Sequence, residues 1–242
     1  SMTRGSVSAR IQELKTKVME LSPETMLMEG AEMSRLTTLR LGGPADLLAE
    51  PCNVDGLQTL LRESSRLELP VTLIGRGSDL LVRDGGIRGL VIRLAGRFRG
   101  MTVTGQRMTV LAGTSMSAAA NEAAAHDLAG LAFASGIPGT VGGGAYMNAG
   151  AYGGEMKDIV QNVTVLTREG EIRELEKEEL GFGYRASVIK DRGYVVLGAE
   201  LMLVPGDKEE ILARMQELKN KRVEKQPLEY PSAGSAFKRP EG

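Results

Sequence analysis

Apolar residues at positions 7, 11, 14, 18 and 21 of VSARIQELKTKVMEL recur at the spacing of one helix face, which predicts an amphipathic helix over 7–21. In TTLRLGGPADLLAEP (37–51) the Gly42-Gly43-Pro44 run marks a turn and Ala45–Glu50 an extended segment. VDGLQTLLRESSRLELP (54–70) returns to helical period and ends near Pro70. VTLIGRGSDLLVRDGGIRGLVIRL (71–94) then reads strand, glycine loop, strand, turn, strand. This first region is a strand–helix–strand unit with an unusual loop.

The second region opens with two short β segments, MTVTG and RMTVLAG, and moves into a helix through SMSAAANEAAAHDL with Thr114 as its N-cap. LAFASGIPGTVGGGAYMNAGAYGGE (131–155) breaks all periodicity and reads as loop. Strand patterns return at 159–167, at 171–176 and, most strongly, in YVVLGAELMLV (194–204), and their spacing predicts a mainly antiparallel sheet. Pro205-Gly206-Asp207 ends that sheet, and KEEILARMQELKNKRVEK (208–225) is a helix. The chain therefore divides near 96 and again near 206, into units 1–96, 97–205 and 206–242.

Composition narrows the function classes. Hydrophobic residues make up 42% and charged residues 25% of the 242, and a net charge of −1 gives no electrostatic case for general nucleic-acid or membrane binding. No apolar run approaches the roughly 20 residues that span a bilayer, and no N-terminal signal pattern is present, so the cytoplasm is the expected location. Cys52 and His126 are the sole residues of their kinds, too few for a Cys/His metal site, and no metal is expected. His126 lies in NEAAAHDLAG and reads as an ordinary helix-surface histidine. What stands out is 31 glycines against 9 prolines, since glycine clusters where backbone turns tightly or approaches something closely.

Two glycine loops carry the candidate chemistry. In IGRGSDLLV, Gly75-Arg76-Gly77 follows a strand, but the third glycine and the following helix of a dinucleotide fingerprint are missing. The loop is either a backbone nest that holds an anion with help from Ser78, or a hairpin turn. SGIPGTVGGGAYMNAG (135–150) carries more glycines than a hairpin needs and suits a diphosphate, because main-chain donors can approach one from several directions. It lacks the Lys-Ser/Thr of an NTPase phosphate loop, so ATP hydrolysis is not indicated. Two such loops in successive units suggest a dinucleotide held between two lobes.

The segments TTLRLGGPAD, IGRGSDLLV, SGIPGTVGGGAYMNAGAYG, FGYRAS and RVEKQPLEYPSAGSAFKRP, in this order and spacing, resemble the FAD-dependent UDP-N-acetylenolpyruvoylglucosamine reductases, the MurB family. The resemblance covers about residues 25 to 242. It implies an α+β chain with a two-lobed FAD-binding fold of the FAD-linked oxidase type, followed by a substrate domain. It implies FAD contacts from Gly75, Arg76, Gly77, Ser78, Asp79 and Leu80 in the first loop. In the second loop it implies contacts from Ser135, Gly136, Ile137, Pro138, Gly139, Gly142, Gly143, Ala145, Met147, Asn148 and Gly150.

The implied reaction uses NADPH to reduce the flavin, and then adds hydride and a proton across the double bond of a UDP-sugar enolpyruvyl ether. Negative charge builds beside the substrate carboxylate, where a guanidinium can grip it with two parallel hydrogen bonds. Arg185 matches the family's catalytic arginine, and Ser235 its proton donor; read alone, a serine after glycine is a turn residue. Tyr184 either lines the substrate pocket or is a buried structural tyrosine. Arg222 and Lys225, three apart on one helix face, match the family's diphosphate-binding cations, with Lys238 a further candidate; a solvated basic helix end is the plain alternative.

Two departures from the family follow. The strand ending at Val204 runs almost directly into the helix at Lys208, so the insertion carrying a substrate-capping tyrosine is absent, as in the shorter type. The family's catalytic glutamate belongs to a segment following Gly242, so a chain cut through its substrate domain is expected, with FAD binding intact and turnover in doubt. Another FAD-linked oxidoreductase of the same fold, or a non-catalytic nucleotide-binding fragment, remains as an alternative. The pattern is silent on oligomeric state.

Overall fold

The computed structural model describes residues 6–30, 46–74, 80–84, 89–94 and 98–224. Helix α1, Val7–Leu21, has the bounds its periodicity predicts; Ser6 caps it by accepting the amide of Ala9, and Ile11, Leu14 and Val18 are its buried stripe. Strands β1 (Met26–Glu29) and β2 (Leu47–Glu50) pair antiparallel, and helix α2, Val54–Arg66, follows with Asn53 as N-cap, accepting from Gly56 at 2.8 Å. Strands β3 (Val71–Ile74), β4 (Leu80–Asp84) and β5 (Leu90–Arg93) complete a sheet of order β1-β2-β5-β3-β4.

The three central strands of this sheet, β2, β5 and β3, are mutually parallel. Their sequences, LLAE, LVIR and VTLI, are close to continuously apolar and buried, because a parallel layer is covered on both faces. Helix α2 is the crossover from β2 to β3, and α1 packs on it. Arg10 fastens this pair by donating to the carbonyls of Leu67 and Glu68, both at 3.0 Å, at the end of α2.

The second sheet contains strands β6 (Met101–Thr104) and β7 (Arg107–Leu111), and later β11, β12 and β13. Between them come helix α3 (Met116–Ala125), β8 (Leu128–Ala129), a 3-10 turn at Ala132–Gly136, helix α4 (Val141–Met147), and the two-residue strands β9 (Gly150–Ala151) and β10 (Gly154–Glu155). Strands β11 (Val160–Leu166) and β12 (Ile172–Glu176), helix α5 (Val188–Arg192), β13 (Val195–Met202), β14 (Val204–Pro205) and helix α6 (Lys208–Glu224) close the order. The sheet runs β12-β11-β13-β7-β6 with every pair antiparallel, as its alternating strands predict.

Three local readings change. The helix predicted from Thr114 is capped one residue later: Ser115 accepts the amide of Ala118 at 3.0 Å, while the Thr114 hydroxyl bonds both the amide and the carbonyl of Gly100. The strand predicted over 194–204 ends at Met202, after which Leu203 donates to Gln106 O and the chain turns aside to pair Val204 and Pro205 with Ala129 and Leu128. The stretch 131–155, predicted as loop, contains α4. One contiguous apolar core joins α1, α2 and both sheets to α3, α4 and α6.

Candidate active site

Helix α4 has the sequence VGGGAYM, poor in helix propensity, and forms because its surroundings supply what the sequence lacks. Thr140 caps it, accepting the Gly143 amide at 3.1 Å. The amides of Val141 and Gly142 donate to Thr114 O and Ala112 O at 2.8 and 2.9 Å. A Cβ on Gly142 would sit 2.9 Å from the Ala112 Cβ, and one on Gly144 would sit 3.0 Å from the Met116 Sδ. Two of the three glycines therefore serve close packing onto the end of β7 and onto α3, and all seven residues are buried. The backbone donors expected to cradle a diphosphate are, at the start of α4, already committed within the protein.

Asn148 ends the helix in the left-handed region (φ 50°, ψ 57°) and connects three segments. Its Nδ2 donates to Glu155 Oε1 at 2.6 Å and to Gly183 O at 3.0 Å, and its Oδ1 accepts the amide of Lys157 at 2.8 Å. Strands β9 and β10 form a small hairpin whose central residues, Tyr152 (φ 50°) and Gly153 (φ 89°), both have the positive φ that tight hairpin turns favour. Gly154 lies flat on Phe133, where a Cβ would meet the ring at 2.8 Å.

Arg185 stands on a turn closed by Gly183 and Ala186, whose backbones exchange hydrogen bonds of 3.0 and 3.3 Å. Its own φ of 50° is left-handed. Lys190 Nζ donates to the Arg185 carbonyl at 3.2 Å. On the far side of the turn Ser187, fully buried, caps α5 and donates to Tyr146 O at 2.6 Å. Tyr184 is 86% exposed, which removes the buried-structural alternative, and the Arg185 guanidinium lies 5.5 Å from its ring centroid. That distance is within cation–π range.

These segments enclose a cavity of about 280 Å³. It brings together Ile137, Pro138, Gly139, Gly143, Met147, Asn148 and Gly150 from the glycine-rich stretch with Tyr184 and Arg185 from the later turn. Ser135, Gly136, Gly142 and Ala145 do not line it: Ser135 bonds Ala132 O within the 3-10 turn, and Gly142 and Ala145 face the core. Leu80 opens β4, which contacts α4, and Arg222 belongs to α6. Gly75, Arg76, Gly77, Ser78, Asp79, Lys225, Ser235 and Lys238 lie outside the described residues. Just before Arg222, Lys221 places its ammonium 6.0 Å from the Tyr152 ring centroid, so the end of α6 meets the hairpin bordering the cavity.

Residues 45–176 match the family described as FAD binding domain. The UDP-N-acetylenolpyruvoylglucosamine reductase of Agathobacter rectalis is 47% identical, across 96% of this chain and 77% of its own. The chain belongs to the UDP-N-acetylenolpyruvoylglucosamine reductase family. The crystal structure of that reductase (MurB) from Thermus caldophilus superposes with a TM-score of 0.66 at 37% identity, over 85% of this chain and 71% of that one. A glucose dehydrogenase, Phl p 4.0202, shares the fold at TM-score 0.58 and 16% identity, over 80% of this chain and 44% of that one.

Within this reductase family member the cavity suits the close approach of a flat group such as the flavin of FAD. Seven of its lining residues are glycines, leaving much of the wall without Cβ atoms, and Gly139 (φ 107°) and Gly153 hold backbone that other residues rarely adopt. Glu155 and Arg185 bring one charge of each sign to the lining. Sequence reasoning missed Thr140, Gly144, Ala149, Ala151, Gly153, Gly154, Glu155 and Gly183. The Thr-x-x-Gly cap was a usable signal for Thr140; nothing local marks Glu155, which reaches the wall through its bond to Asn148. His126 is exposed at the end of α3 with Nδ1 3.0 Å from Glu122 O, Cys52 bonds Glu24 O, and neither lines the cavity. Among the described residues no group of three or more His, Cys, Asp or Glu is arranged to hold a metal, and no helix is long and apolar enough to cross a membrane.

Proposed function

We infer that this protein catalyses the FAD-dependent, NADPH-driven reduction of UDP-N-acetylglucosamine enolpyruvate to UDP-N-acetylmuramate, a step in peptidoglycan precursor synthesis. The observation that carries the reading is the meeting of Arg185 with the glycine-lined wall in one cavity, within a chain 47% identical to a named reductase. When bound, FAD would supply the hydride chemistry that links NADPH to the terminal carbon of the enolpyruvyl group. Negative charge then develops beside the substrate carboxylate. Arg185 binds that carboxylate and stabilises the charge, since a guanidinium stays protonated and matches the geometry of two oxygens. Ser235 delivers the proton to the adjacent carbon; a hydroxyl is a weak acid, but the acceptor is a strongly basic carbanion.

The cations Arg222, Lys225 and Lys238 bind the UDP diphosphate, and Tyr184 lines the substrate pocket. Ile137, Pro138, Gly139, Gly143, Met147 and Gly150, with the segment 75–80, hold the FAD, with lobes 1–96 and 97–205 on either side and the substrate domain starting at 206. The reaction's use of NADPH and a UDP-sugar supports a cytoplasmic location. The test is spectroscopic and kinetic. The purified protein should be yellow, and beyond the single equivalent that reduces its flavin it should consume NADPH only when the enolpyruvyl sugar nucleotide is present. Equal turnover with simple alcohols or lactones would instead favour an oxidase of the same fold. Flavin that stays attached after denaturation would favour the same alternative.

A further inference from the structure

Asn148 lines the cavity, yet its side chain has no hydrogen left to donate to a ligand: both amide hydrogens and the carbonyl oxygen are engaged, with Glu155, Gly183 and the Lys157 amide. Gly183 is the first residue of the turn that carries Tyr184 and Arg185, and it exchanges two backbone bonds with Ala186 at the other end. A fixed Gly183 carbonyl therefore fixes the start of the turn. The opposite flank is fixed by Ser187 on Tyr146 O, so the two anchors are the last turn of α4 and its C-cap, two residues apart. We propose that Asn148 is a positioning residue for Arg185, holding the arginine turn against the end of the glycine helix, and is not a donor to cofactor or substrate. The left-handed backbone at this position is one that asparagine tolerates and most residues resist, so side chain and backbone requirements coincide there. This inference rests on Arg185 acting on the substrate.

The experiment is a double-mutant cycle on the flavin-loaded protein with Asn148→Gly and Arg185→Lys. Glycine keeps the left-handed backbone and removes only the side chain. Asn148→Gly should lower kcat by about 10-fold to 100-fold, as displacements near 1 Å do, with FAD affinity by fluorescence titration unchanged. In the Arg185→Lys background the same change should cost less than about 2-fold, because the group it positions is gone. Hydrogen exchange over 181–188 should rise in Asn148→Gly while exchange in β11 and β13 stays as before. If Asn148→Gly does not fold, the isosteric Asn148→Asp, which sets a carboxylate against Glu155 and Gly183 O, carries the same expectations. Additive kinetic effects, or weakened FAD binding with kcat preserved, would overturn the proposal. Full turnover in Arg185→Lys and Arg185→Ala would instead remove the reading of Arg185 on which it rests.

Discussion

Ser187 Oγ donates to the carbonyl oxygen of Tyr146 at 2.6 Å and also accepts the amide of Lys190 at 3.2 Å, with Ser187 fully buried. One hydroxyl thus caps α5 and pins the flank of the arginine turn to α4. Tyr146 shares this setting: burial, and then the nearby Asp191 carboxylate, push its phenol well above the usual range, so it stays neutral at any working pH.

Replacing Ser187 by alanine should destabilise the fold by about 1–3 kcal/mol, combining a lost cap with a buried carbonyl left without its donor. Denaturant unfolding of the flavin-free and flavin-loaded forms would measure it. A loss below about 0.5 kcal/mol would show that α5 and the turn are held by other contacts.

Gly142→Ala should act through packing alone. The added methyl meets Ala112 Cβ at 2.9 Å and Ala112 O at 3.1 Å, in a strand end that cannot retreat without disturbing the Gly142 amide bond to the same carbonyl. Overpacking of this kind costs about 1–3 kcal/mol, and thermal unfolding should register it. Unchanged stability would mean that α4 slides freely along β7.

The elements with strong periodicity, α1 and α2, were legible because burial and pattern agree there. Helix α4 was not, since seven residues containing three glycines carry no period. Its formation depends on Ala112, Thr114 and Met116, contacts made through the fold. The site followed the same division. Of the cavity lining, Arg185 and seven residues of the stretch 135–150 lie in motifs the sequence offers, whereas Glu155 and Gly183 enter through Asn148, a tertiary junction with no local signature.

The shift of the α3 cap from Thr114 to Ser115 gives a paired prediction. Ser115→Ala should cost about 1 kcal/mol, the usual value of an N-cap. Thr114→Val, at the residue first expected to be the cap, removes both hydrogen bonds to Gly100 and should cost about 1–3 kcal/mol, at least as much as the true cap. Urea titrations of the two variants would compare them directly, and a clear excess loss in Ser115→Ala would contradict the assignment of Thr114 to Gly100.

Arg185→Lys separates charge from geometry at the arginine turn. Lysine keeps the positive charge but loses the planar fork, so it meets a carboxylate through one point instead of two parallel bonds. It also loses the broad face that Tyr184 can cover, 5.5 Å away. If Arg185 stabilises charge that develops on the substrate carboxylate, kcat should fall by about 100-fold to 1,000-fold, the scale of removing one preorganised donor at such a centre. Flavin absorbance and the rate of flavin reduction by NADPH alone should stay near wild type, since the substrate carboxylate takes no part in that half of the cycle. Stopped-flow measurement of the two half-reactions would distinguish these cases: an equal loss in both would move Arg185 from substrate chemistry to the support of the cofactor.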